Sequence, residues 1–258
     1  MTVEEIVQNH NRITLAFYHR LVRYHGTPIQ LDSLQPFQNE NDFNPMVQAA
    51  FLCNQKTTKS GTNRMPYMLH PLRVALLVNE LVTTSQSIKE SLLVGALLHD
   101  CIEEGDGDAC DILSDLQAMF PCNSDYPEYA IILTEPQSQP IHEINKIQYL
   151  TDKVSLIKQV LNSNNPLLIN VLMADLLDSL ICYLFNNFNY KQVNTIAALL
   201  LFSVQTYRHL LYPDLQSFIS KILSHTTAKD KLNWNYIDVD VKKLTDISGS
   251  ILQRQSAM

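Results

Sequence analysis

Apolar residues recur at every third or fourth position along most of this 258-residue chain, the period of a helix that buries one face. Alternation of apolar and polar residues, the mark of a half-buried strand, never persists for six residues beside a turn dipeptide. Glycine points the same way. With only 6 Gly, the chain has little material for the phosphate loops and tight turns of a dinucleotide-binding fold. The expected class is all-α, a helical bundle formed by residues 1–258 as a single domain.

The pattern predicts helices over 4–25, ended by Gly26-Thr27-Pro28, and over 45–56. A loop from Lys56 to Arg64 carries Lys59, Ser60 and Gly61. His70-Pro71 opens the next helix, with Val74, Leu77, Val78, Leu81 and Val82 as its buried stripe. A further helix places Ile88, Leu92, Ala96, His99 and Ile102 on one face. Helices are then expected over 109–120, 126–134 and 142–161, from Pro166 to Phe185, and over 190–211. The C-terminal helices span 213–225 and the tail from Ile237 to about residue 252.

Charge narrows the partners. Against 19 basic residues stand 26 acidic ones, a formal net charge of −7, which disfavours a nucleic acid or an anionic membrane as partner. The longest unbroken apolar run, Ile196 to Phe202, is far below the ~18 residues of a membrane span. Cys53, Cys101, Cys110, Cys122 and Cys182 are odd in number and nowhere spaced C-x-x-C, which points to free thiols in a reducing compartment. A cytoplasmic, soluble protein is expected, and the 46% hydrophobic content excludes disorder.

Two apolar stripes carry residues that an ordinary core does not want. His99 lies among Leu92, Ala96 and Ile102, with Asp100 beside it and Glu103 one turn on. Asp175 lies on the stripe Leu168, Leu172, Asp175, Ser179. A lone buried carboxylate costs several kcal/mol unless it is paired, protonated or bound to metal. A His-Asp dipeptide alone is weak, since one arises by chance in about every second chain of this composition. The combination says more: His70 at a helix start, His99-Asp100 in an apolar helix and Asp175 on another stripe supply four ligands. A mixed imidazole and carboxylate set suits Mn²⁺, Fe or Zn²⁺ with positions left open for water.

These residues also carry a resemblance. Pro66-Tyr67-Met68-Leu69-His70-Pro71-Leu72-Arg73-Val74-Ala75 resembles the P-Y-x-x-H-P-x-x-V-A segment of the Rel/SpoT hydrolase domain and the small alarmone hydrolases. Ala96-Leu97-Leu98-His99-Asp100-Cys101-Ile102-Glu103-Glu104 resembles their A-L-L-H-D-x-x-E-D, and Leu172-Met173-Ala174-Asp175-Leu176-Leu177 their K-L-A-D-x-L. The resemblance covers roughly residues 40–210 and points to the HD metal-hydrolase superfamily, a helical bundle with a central metal site. It implies Mn²⁺ held by His70, His99, Asp100 and Asp175. It further implies removal of the 3′-pyrophosphate of guanosine tetraphosphate, with Glu103 and Glu104 handling water and proton transfer and Lys59 neutralising substrate phosphate.

The chain departs from that pattern at the substrate positions. The family's E-D is Glu103-Glu104, the basic residue before its Lys is Thr58, and the Lys three residues before the last metal Asp is Leu172. Its Asn four residues after that Asp is Ser179, still polar but shorter. Arg64, in the same loop as Lys59, is the nearest replacement for the lost charge. The expected activity is a metal-dependent nucleotide phosphohydrolase of the alarmone type. The alternatives are an HD phosphohydrolase acting on another nucleotide or phosphate ester, and an inactive binding or regulatory protein that retains its metal.

Overall fold

The computed structural model describes residues 3–9, 11–12, 69–104, 108–119, 125–134, 146–186 and 192–255, apart from the side chains of 104, 119 and 250–255. Among the described residues there is helix and no strand, as the all-α expectation requires. The chain forms two compact units, Met1–Thr134 and Glu135–Met258. Their boundary falls inside the 40–210 stretch that carries the resemblance.

In the first unit residues 3–9 are helical, and the rest of the expected 4–25 and 45–56 helices lies almost wholly outside the described residues. Helix α1 is Leu69–Leu81 and α2 is Gln86–Leu98; they pack against each other. Pro71 sits in the first turn of α1, where its missing N–H has no intrahelical acceptor to lose. The whole predicted stripe, Val74, Leu77, Val78, Leu81 and Val82, is buried. Burying α1 on nearly all sides needs more than one partner; α2, itself buried all round from Leu92 to Leu98, is one of them.

The helix expected to run through Ile102 does not. It stops at Leu98, turns at His99-Asp100, and resumes as the four-residue α3, Cys101–Glu104. Helix α4, Ala109–Met119, starts on Asp108, whose Oδ1 accepts the Cys110 amide at 2.8 Å and satisfies one orphan donor. Helix α5, Asp125–Leu133, returns to pack on α2, with Tyr129, Ile132 and Leu133 buried.

In the second unit the first described element is α6, Lys146–Leu161, followed by a 3₁₀ turn, Pro166–Leu168, and α7, Ile169–Phe185. Pro166 to Phe185 is long and apolar enough to cross a membrane, yet 83% of its most apolar window is buried within the protein. It is the central element of this unit. Helix α8, Val193–Thr206, packs along it and along α11, Trp234–Gln255. Helix α8 ends earlier than the expected residue 211, and residues 207–210 turn instead. Between them come α9, Pro213–Ser224, and α10, Thr226–Lys231; the latter short helix was not signalled by periodicity. His225 caps α10 by accepting the Thr227 amide on Nδ1 at 3.2 Å. Helix α11 starts three residues before the predicted Ile237.

Two buried polar groups tie this unit together. The Asn170 amide, fully buried, donates to Leu167 and Leu210 carbonyls and accepts the Tyr212 amide at 3.0 Å, joining the start of α7 to the turn after α8. Asp240 on α11 is 0% exposed; its Oδ2 accepts Lys146 Nζ at 2.7 Å and Thr195 Oγ1 at 3.1 Å, while its Oδ1 has no hydrogen-bond partner. Lys146 is 40% exposed and can rehydrate, but Asp240 cannot. Replacing Lys146 by Met should therefore lower the urea-unfolding free energy by about 3 kcal/mol, the cost of an uncompensated buried charge. Adding Asp240→Leu should recover most of that loss, because the stranded charge is then gone.

Candidate metal centre

The interruption of α2 creates the site. Ending the helix at Leu98 leaves its last carbonyls without amide donors. The His99 imidazole supplies one: Nδ1 lies 2.8 Å from the Ala96 carbonyl oxygen, three residues back. A carbonyl only accepts, so Nδ1 carries the proton, and in the neutral ring Nε2 presents a lone pair. This arrangement, a backbone carbonyl fixing the tautomer so that the other nitrogen can ligate, is the usual support of a metal-binding His.

His99 Nε2 faces two other atoms. His70 Nε2, from the first turn of α1, lies 3.3 Å away, and Asp100 Oδ2 lies 3.1 Å away. His70 Nε2 and Asp100 Oδ2 are 3.4 Å apart, closing a triangle. The two rings meet edge to face at 5.2 Å between centroids. His70 is 2% exposed, His99 3%, and the Asp100 side chain 13%.

That triangle has the dimensions of three ligands on one face of an ion. A point equidistant from corners 3.1 to 3.4 Å apart lies about 1.9 Å from each, and rises to the ~2.0–2.2 Å of nitrogen and oxygen ligation when moved slightly off the plane. The chemistry agrees with the distances. With Nδ1 protonated, His99 Nε2 and the Asp100 carboxylate are both acceptors in close approach. Such a pair stays together only when a proton or a cation lies between them. The group can hold a metal ion, and two imidazoles with one carboxylate suit a divalent transition metal.

Three of the four predicted ligands are thus brought together. Asp175 stands on α7 in the second unit, half-buried where the stripe had suggested full burial, with Ser179 one turn further on and buried. Leu172, where the family pattern has a Lys, is buried among apolar neighbours. Glu103 follows His99 by one turn on α3 and is half-buried; the Glu104 side chain lies outside the described residues. Lys59 and Arg64 also lie outside them.

Among the buried charges that periodicity does not signal, two lie on α1 and α7. Arg73, one turn after His70 on α1, is 7% exposed; it was read only as part of the motif. Asp178, three residues after Asp175, is 1% exposed and lies 3.8 Å from the Cys182 thiol. Both helices are buried almost all round, so no polar face distinguished these positions. No protein-family model, curated protein or solved structure matches this chain.

Metal should bind the native state alone and stabilise it. With Mn²⁺ or Zn²⁺ at 100 times its Kd, chelator-treated protein should gain about 2.7 kcal/mol, read as a rise in Tm. His99→Ala and Asp100→Ala should abolish that rise. An unchanged Tm in the unsubstituted protein would show that the triangle is closed by a proton and not by a cation.

Proposed function

We propose that this chain is a metal-dependent nucleotide phosphohydrolase of the HD superfamily, acting on guanosine tetraphosphate as the alarmone hydrolases do. The observation that supports this most is the convergence of His70 Nε2, His99 Nε2 and Asp100 Oδ2 at ligand spacing, on the residues that carry the resemblance. His70, His99 and Asp100 would hold the ion. When bound, the ion supplies Lewis acidity, polarising a phosphoryl oxygen and making water acidic enough to attack near neutral pH.

The remaining work falls to the chain's own side chains. The bond from His99 Nδ1–H to the Ala96 carbonyl holds the ring in orientation and leaves Nε2 to face the ion. Glu103, half-buried one turn from His99, accepts a proton from the attacking water, and Glu104 beside it orients that water. Lys59 offsets phosphate charge, with Arg64 adding to it. The broader reading, an HD phosphohydrolase for another nucleotide or phosphate ester, draws support from one position. Leu172 is buried and apolar where the family has a cation.

A panel of guanosine tetra- and pentaphosphate, NADPH and ordinary nucleotides, assayed with Mn²⁺ and with phosphate products identified, separates the two. Release of pyrophosphate from guanosine tetraphosphate supports the first reading, and turnover of another member alone supports the second. Glu103→Gln should keep the metal-induced rise in Tm while kcat falls on the order of 10²- to 10⁴-fold. Hydrolysis of no member of the panel by metal-loaded protein would overturn both readings in favour of a binding protein.

A further inference from the structure

The charge of this chain is divided unevenly between its two units. The first, Met1–Thr134, holds 16 acidic against 8 basic residues, a formal charge of −8. The second holds 10 against 11 and stands at +1. The excess is concentrated in the stretch that contains the His99-Asp100 break. From Glu90 to Thr134 there are 10 acidic residues and no Lys or Arg.

Helix α3 of this stretch begins at the residue after Asp100, and α4 and α5 both pack against it. Asp108, Asp111 and Asp115 at α4, and Asp125 and Glu128 on α5, are exposed, and none forms an ion pair among the described residues. None of these carboxylates is a ligand site by itself. Their sum matters, because it sets the sign of the field that an incoming molecule meets.

On the phosphohydrolase reading, on which this inference rests, the incoming molecule is itself a multiply charged anion. Like-charge repulsion opposes its approach, and Lys59 and Arg64, already counted in the −8, do not reverse the sign. A divalent cation carried on the phosphates removes two charges from the anion. Mg²⁺ is commonly held in this way, through substrate phosphates and one or two carboxylates.

We propose that the first unit binds its phosphorylated substrate as the divalent-cation complex and discriminates against the free anion. The cation arrives with the substrate and is distinct from the ion of His70, His99 and Asp100.

The Glu103→Gln variant, loaded with one equivalent of Mn²⁺, lets binding of guanosine tetraphosphate be read by calorimetry apart from turnover. At constant ionic strength, raising Mg²⁺ from about 0.1 to about 5 mM should tighten binding on the order of tenfold. Elemental analysis showing retained Mn²⁺ confirms that the resident ion is not exchanged. Without Mg²⁺, raising KCl from about 10 to about 150 mM shortens the screening length from ~30 to ~8 Å and should tighten binding several-fold. Adding Asp115→Lys and Gln117→Lys, both exposed on α4, makes the unit three charges less negative and should shrink both effects. Binding that ignores Mg²⁺ at constant ionic strength, or that KCl weakens, would overturn the proposal and leave the phosphohydrolase reading standing. Binding with the expected dependence by a chain whose unsubstituted form hydrolyses nothing would overturn that reading and keep the proposal. Binding of neither form of the nucleotide overturns both.

Discussion

The hydrogen bond from His99 Nδ1 to the Ala96 carbonyl closes the end of a helix and sets the proton position of a candidate ligand in one contact. Were α2 continuous through Ile102, the Asp100 amide would occupy that carbonyl. The interruption instead hands the carbonyl to the imidazole, turns the Asp100 carboxylate back on the ring, and brings both against His70. Helix termination and site assembly are therefore the same event. The imidazole at the C-terminal end of a helix is also favoured by the helix dipole when it carries positive charge or lies next to a cation.

Around this point the first unit is almost wholly apolar. Helix α1 is buried from Leu69 to Val78 and α2 from Leu92 to Leu98, so the rigidity that holds three ligand atoms within 3.4 Å comes from packing on both sides. A site on packed helices keeps its geometry better than one on loops, and His70 and His99 both belong to that packed layer. The price is burial of Arg73 one turn away, whose charge has to be offset locally.

The second unit answers the same requirement by other means. Its long apolar helix, α7, is enclosed, and two of the polar groups inside act as connectors. Asn170 satisfies backbone groups from two turns, and Asp240 gathers Lys146 and Thr195 from two other helices. Buried polar groups of this kind select one arrangement among several that apolar packing alone would tolerate. A cleft beside Trp234 is where the packing of this unit is left incomplete.

The helical class, the buried stripe of α1 and the candidate ligands His70, His99 and Asp100 were all legible in the sequence. Each depends on local spacing, with apolar residues three and four apart and a His-Asp pair set into an apolar run. Periodicity carried less at interruptions, and the break at His99-Asp100 was read as continuous helix because both residues keep the helical spacing. The folded chain decided that break, through a local competition of a side chain with a backbone amide for one carbonyl that apolar spacing does not encode. The burial of Asp178 in place of Asp175 was likewise decided by neighbouring helices, whose positions no stripe encodes. The sequence by itself determined which residues could ligate; the distances of 3.1 to 3.4 Å that make three of them a set came only from packing α1 against α2.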